Sequence, residues 1–205
     1  MIAEESVNLT LFSVFLFLGG IMNKKDFFNL NFLVEAGIML ALAIVLDRVV
    51  PHYELPNGGS ITLASCLPII IISIRWGLSR GLLTGLLFGL LQMILSPHIY
   101  HPIQAILDYP LAFTMVGFSG LTTTPKDRRR VYGFIPFVIL GYVLRFISHT
   151  ISGVVFFASD PNSIPASTIF SLQYNASYMV PELIITIVLL VLLWNPLNRI
   201  LKKQY

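Results

Sequence analysis

Three sets of polar side chains recur at spacings that would let them act together inside an otherwise apolar chain. In HPIQAILDYPLAF, residues 101–113, His101, Gln104 and Asp108 fall at i, i+3 and i+7 and so share one face of a helix. Tyr109 and Pro110 follow directly. In LRFISHTISGVVFF, Arg145, His149 and Gly153 are spaced by four, with Ser148 and Ser152 beside them and Phe156 and Phe157 beyond. In FSLQYNASYMVPEL, Asn175, Tyr178 and Glu182 again fall at i, i+3 and i+7. Asp108, Tyr109, His149 and Asn175 would offer a carboxylate, a phenol, an imidazole and an amide, ringed by aromatics. That set suits a small ligand with a cationic or weakly basic heteroaromatic ring. Rings stack on it and attract its charge, and the carboxylate neutralises it or accepts from an amino group. Gly153 would let such a ligand approach the helix backbone.

The elements that must position these groups lie in a membrane. The chain has 205 residues, of which 56% are hydrophobic and only 11% charged, where a soluble domain carries roughly a quarter. Its mean hydropathy is +0.81. The expected fold is an all-α membrane protein with six transmembrane helices, near 30–50, 61–77, 80–96, 102–122, 132–158 and 172–195. All of the 13 basic residues except Arg48 and Arg145 fall on one side if both termini are cytoplasmic. They include Lys24 and Lys25, Arg75 and Arg80, Lys126 and Arg128–Arg130, and Arg199, Lys202 and Lys203. The even helix count is taken after Met22. Residues 1–21 contain the short apolar run LTLFSVFLFLGGIM and are expected to be an extension from a misassigned start, or a loosely attached segment. Residues 22–205 are expected to form one six-helix substrate-binding domain.

The three outer loops, PHYELPNGGSI, SPHIYHP and SDPNSIPAST, have few charges but many rings and hydrogen-bonding groups. They suit the mouth or lid of an outward-facing site, or ordinary turns. Gly77, Gly81, Gly85 and Gly89 form a small-residue stripe in the third helix, expected to serve internal packing. Gly37 and Ala41 form a second small pair in the first helix, for internal packing or for docking another membrane protein.

Charges at bilayer depth are costly unless paired or wetted. Arg145 and Glu182 reach similar depth on antiparallel helices and are expected to form a structural ion pair, apart from the ligand site. Asp108, nearer the outside, is expected to stay unpaired until a ligand arrives. No spare cation stands beside this outer cluster, which argues against phosphorylated ligands.

Several function classes are disfavoured. The net charge of +3 is small and the basic residues are grouped by topology, so no nucleic acid is expected. There is no Gly-rich loop followed by Lys and Ser/Thr for ATP and no metal motif. Ser148 and His149 are neighbours in sequence and point apart on a helix. No catalytic residues, metal or cofactor are expected. The single cysteine, Cys66, excludes an internal disulfide and is expected to pack as a small apolar residue.

The LDYPLAF, HTISG, YNASYMVPE and NGGSI runs together resemble the thiamine-specific substrate-binding subunits (ThiT type, S component) of energy-coupling factor (ECF) transporters, over about residues 23–203. The resemblance implies a multi-pass protein of the bacterial plasma membrane. It implies capture of thiamine from outside, closure of the first outer loop, and association with a transmembrane coupling protein and two cytoplasmic ATPases. Asp108 would face the charged ligand, with Tyr109 beside it. His149 and Gly153 would lie against its rings, and Asn175 would bond the aminopyrimidine. Phe157 and Phe170 stand where relatives carry Trp and Tyr, and Gly59 where some carry a stacking Trp. Gly37 and Ala41 would dock onto the coupling protein. The alternative is a small proton-coupled secondary transporter with Asp108 or Glu182 carrying the proton, although six helices without a visible inverted repeat fit that class poorly. A purely structural subunit would leave the outer polar cluster without a purpose.

Overall fold

The computed structural model describes residues 29–50, 53–55, 59–95, 98–121, 131–157 and 164–201, with backbone only for 131–132 and 195–201. The segment 1–21, Lys24, Lys25, the basic loop at 126–130, Lys202, Lys203 and the side chain of Arg199 lie outside the described residues.

Helix α1 (Leu30–Arg48) starts where Asn29 Oδ1 accepts from the backbone N–H groups of Asn31 and Phe32 at 3.1 and 3.2 Å. Its apolar side chains point mostly outward, as lipid-facing ones do: Leu30, Val34, Ile38 and Val45 are exposed, whereas Phe32, Ala36 and Ala43 are buried.

The second element departs from the expected helix at 61–77. Its first part is an antiparallel hairpin, β1 (Tyr53–Glu54) with β2 (Ser60–Ile61), in the register Tyr53↔Ile61 and Glu54↔Ser60. A turn follows, in which Thr62 Oγ1 accepts from Ser65 N at 3.3 Å and Ala64 takes a positive φ of 54°. Short hydroxyl side chains compete with helical backbone bonds, and Pro68 suits a first helical turn. Helix α2 (Leu67–Trp76) therefore begins only there. Gly77 (φ 87°) turns the chain into α3 (Leu78–Leu95).

The fourth expected helix is continuous but irregular. Helix α4 (Pro102–Ile106) is capped by His101 Nδ1, which accepts from Ile103 N at 3.2 Å. A π-helical turn (Leu107–Leu111) follows, then α5 (Ala112–Val116) and a 3₁₀ turn (Gly117–Leu121). Pro110 lacks the N–H that a regular helix would use there, and the widened turn accommodates it.

Helix α6 spans Val131–Phe156 and α7 spans Ile164–Leu201. The latter starts eight residues before the expected 172 and absorbs part of the third outer loop. Pro165 is tolerated because the first turn lacks intrahelical N–H bonds anyway.

Among the described residues, four helices are long and apolar enough to cross a membrane: Leu30–Arg48, Leu78–Leu95, Gly133–Phe156 and Ile164–Trp194. Helix α2, at 10 residues, rises about 15 Å, roughly half a hydrocarbon core.

The glycine stripe seats α3 against the irregular segment. A Cβ on Gly89 would fall 2.5 Å from the carbonyl oxygen of Tyr109, one on Gly85 would strike that of Phe113, and one on Gly81 would strike Ser73. The interior is apolar and aromatic. Phe88 meets Phe113 edge-on at 4.8 Å, and Phe134 meets Trp194 at 4.3 Å. Cys66 is fully buried in this core.

Candidate substrate-binding site

The π turn sits where α3, α6 and the irregular segment meet, and it brings the Asp108 carboxylate to α6. There His149 Nδ1 lies 3.0 Å from Asp108 Oδ1, and Ser152 Oγ donates to Oδ2 at 2.8 Å. Gln104 Nε2 donates to the same Oδ2 at 2.7 Å. Asp108 is therefore not unpaired, contrary to expectation. A helical wheel shows which residues share a face of one helix, but not the Ser and His that another helix delivers. An ionised carboxylate only accepts, so Nδ1 of His149 carries the proton, and Nε2 has no partner among the described residues. Of about four acceptor sites on the carboxylate, three are used.

His101 does not join Gln104 and Asp108. Its ring caps α4 and stacks on Phe156 at 5.0 Å.

These groups border a cavity of about 430 Å³ enclosed by α1, the hairpin, α3, the irregular segment, α6 and α7. All seven residues expected to touch a ligand line it: Asp108, Tyr109, His149, Gly153, Phe157, Phe170 and Asn175. Tyr109 Oη accepts from His98 N at 2.9 Å. Asn175 is already engaged within α7: Nδ2 donates to Ser171 O at 2.9 Å, and Oδ1 accepts from Tyr178 Oη at 2.7 Å. What Asn175 can add for a ligand is the second lone pair of Oδ1, an acceptor for an amino group. The glycine at 153 serves helix packing first, because a Cβ there would strike Ser171 of α7.

Arg145 and Glu182 lie 3.0 Å apart and are both buried. They are not apart from the site, however, since both line the same cavity. Glu182 Oε1 also accepts from Thr62 Oγ1 at 3.2 Å, which ties the base of the hairpin to α7. Arg145 stacks over Phe113 at 4.6 Å. The antiparallel depth argument placed the two charges together. It could not show that cavity space opens beside them.

Gly59 packs where a larger side chain has no room: a Cβ would lie 2.7 Å from Tyr174 Oη and 2.9 Å from the Tyr178 ring. Gly59 N donates to Tyr174 Oη at 2.9 Å. Tyr174 and Tyr178, edge-on at 5.8 Å, supply rings at this wall. Tyr174 went unnoticed in the sequence, although it immediately precedes Asn175.

Sequence reasoning also missed Asp47, Arg48, Glu54 and Gln92, which line the cavity as well. The signal was present in Arg48, one of two basic residues that break the charge asymmetry. The expected lack of a cation near the outer cluster is thus overturned. Among the described residues, the cavity is lined by four carboxylates (Asp47, Glu54, Asp108 and Glu182) against two guanidinium groups (Arg48 and Arg145). With neutral histidines, the enclosure is anionic and favours a cation. Among the described residues no group of three or more His, Cys, Asp or Glu side chains could hold a metal ion.

Comparison with known proteins fits this geometry. The thiamine transporter protein family (Thia_YuaJ) matches residues 33–202. The chain belongs to this family. One relative, the thiamine transporter ThiT of Bacillus subtilis (strain 168), is 40% identical over 183 residues, covering 84% of this chain and 94% of its own. Another, the thiamine transporter ThiT of Lacticaseibacillus paracasei, is 28% identical over 169 residues, covering 76% of this chain and 83% of its own. The solved structure of ThiT from Listeria monocytogenes superposes with a TM-score of 0.70 at 26% identity, covering 87% of this chain and 99% of that one. The thiamine transporter family is one of transporters, not enzymes, and its membrane-crossing character agrees with the four long apolar helices here.

Proposed function

We propose that this chain is the membrane-embedded thiamine-binding subunit of an ECF-type importer in a bacterial plasma membrane. It has six spans, both termini in the cytoplasm, and its cavity open to the outside. The carrying observation is the anionic, ring-lined cavity built around the Asp108–His149 pair. Thiamine offers what complements that lining: a permanent positive charge on its thiazolium ring and an aminopyrimidine with one donor group and ring nitrogens.

In this reading Asp108 uses its remaining acceptor site for the ligand, and Asn175 Oδ1 accepts from the amino group. His149, its proton held on Nδ1 by Asp108, presents Nε2 to a ring. Phe157, Phe170, Tyr174 and Tyr178 supply π faces to the cation. The hairpin, tethered through Gly59 to Tyr174 and through Thr62 to Glu182, closes the outer mouth.

A binder alone does not move its ligand uphill, so release requires partners: a transmembrane coupling protein and two ATPases. Gly37 and Ala41 on the exposed side of α1 are the proposed docking face; a Cβ at Gly37 would meet nothing within 4 Å. The proton-coupled alternative is weaker because Glu182 is held by Arg145 and Thr62, and Asp108 by three donors.

The test is calorimetry or intrinsic-fluorescence titration of detergent-purified protein with thiamine. Submicromolar binding that Asp108→Ala abolishes is expected. A wild-type chain that does not bind thiamine sinks the proposal.

A further inference from the structure

Asp47 and Arg48 end α1 beside the hairpin, and both line the cavity. A basic residue in the last turn of a helix ordinarily complements that helix's own carbonyls. Arg48 instead reaches across to α3, where its Nη2 donates to Oε1 of the buried Gln92 at 2.9 Å. Its Nε lies 3.0 Å from Asp47 Oδ2. Two contacts from two helices thus fix the plane of the guanidinium. Its remaining N–H donors have no partner among the described residues. Asp47 is the more buried of the pair, its side chain 12% exposed against 33% for Arg48. This wall, made by α1 and α3, is not the one that carries His149, Gly153 and Asn175 on α6 and α7.

We propose that Asp47, Arg48 and Gln92 form the subsite for the hydroxyl that ends thiamine's side arm, and that Asp47 makes this subsite choose the alcohol over its phosphate ester. The inference rests on the reading of the cavity as a thiamine site. With the aminopyrimidine at Asn175 on α7 and the thiazolium ring beside Asp108, the hydroxyethyl arm on that ring points away from Asn175. An alcohol both accepts and donates, so it takes an N–H from Arg48 and gives its proton to the Asp47 carboxylate. A phosphate ester carries about −1.5 to −2 charges near neutral pH and has little left to donate. It would meet the Asp47 carboxylate with like charge, while the charge of Arg48 is already compensated by Asp47. Gln92 is a positioning residue, holding the guanidinium in place.

The test compares binding of thiamine, thiamine monophosphate and an analogue whose hydroxyl is replaced by hydrogen to the detergent-purified full chain, by calorimetry. The wild type is expected to prefer thiamine to the deoxy analogue by about tenfold. Arg48→Gln should shrink that preference, weakening thiamine more than the analogue. Asp47→Asn, which keeps an acceptor but removes the charge, should raise monophosphate affinity relative to thiamine by about tenfold. If Arg48→Gln weakens thiamine and the analogue alike, or Asp47→Asn leaves the alcohol-to-phosphate ratio unchanged, the subsite is wrong and thiamine binding still stands. If the wild type binds no thiamine, the reading of the cavity fails and the subsite with it.

Discussion

In the proposed site the Asp108 carboxylate would act through charge and shape together, and the two can be separated. Asp108→Asn keeps an acceptor near Ser152 and His149 but cannot neutralise a cation. Thiamine binding should fall by about 10- to 100-fold, the range expected when a charge-assisted contact is lost. A neutral analogue of the same rings should lose much less; equal losses in calorimetry would show that Asp108 serves the fold and not the ligand's charge. Asp108→Ala goes further, because it strips partners from Gln104, His149 and Ser152 at once. Its damage is therefore a sum of lost recognition and broken support.

At the scale of elements, the π turn at Leu107–Leu111 and the glycine stripe of α3 place this carboxylate. One extra residue in a helical turn shifts the phase of everything beyond it by about 100°. Pro110→Ala restores an N–H and lets a regular helix form, which would rotate Asp108 away from His149. Thiamine affinity should drop at least tenfold while thermal stability in detergent stays near wild type; unchanged affinity would mean that the turn is incidental. Gly85→Leu has the opposite profile. It wedges α3 away from Phe113, an overpacking that costs about 1–3 kcal/mol. The midpoint of thermal unfolding should fall in detergent, and an unaltered midpoint would mean the contact relaxes freely.

For the whole molecule, the Arg145–Glu182 pair joins α6 to α7 and, through Thr62, to the hairpin. Removing one partner leaves an uncompensated buried charge, a loss of about 3–5 kcal/mol. Arg145→Leu and Glu182→Leu should each reduce the yield of folded, monodisperse protein. The swapped pair Arg145→Glu with Glu182→Arg should recover part of it. No recovery would mean that the pair's surroundings, such as Thr62 below and Phe113 beside it, matter more than the pairing. The same span of contacts closes one end of the cavity within a single chain. In vesicles holding the chain alone, thiamine should equilibrate slowly or not at all, with no response to an imposed proton gradient; gradient-driven accumulation would favour the secondary-transport alternative.

The amino-acid sequence alone determined what depends on local periodicity and composition. Hydropathy marked the lipid-facing helices, and helical spacing put Gln104 with Asp108 and Asn175 with Tyr178. The motifs, with the resemblance they carry, pointed to seven of the residues that line the cavity. Depth counting along antiparallel helices was enough to pair Arg145 with Glu182. Only the tertiary structure decided what depends on contacts between distant segments. Asp108 receives Ser152 and His149 from a helix some forty residues away, Gly59 meets Tyr174 across 115 positions, and Arg48 reaches Gln92 across 44. A helical wheel carries no information about which face of a neighbour arrives opposite, and hydropathy cannot see that Thr62 and Ser65 turn the backbone before Pro68 starts α2. The sequence therefore disclosed a carboxylate in an apolar helix, and packing supplied its partners.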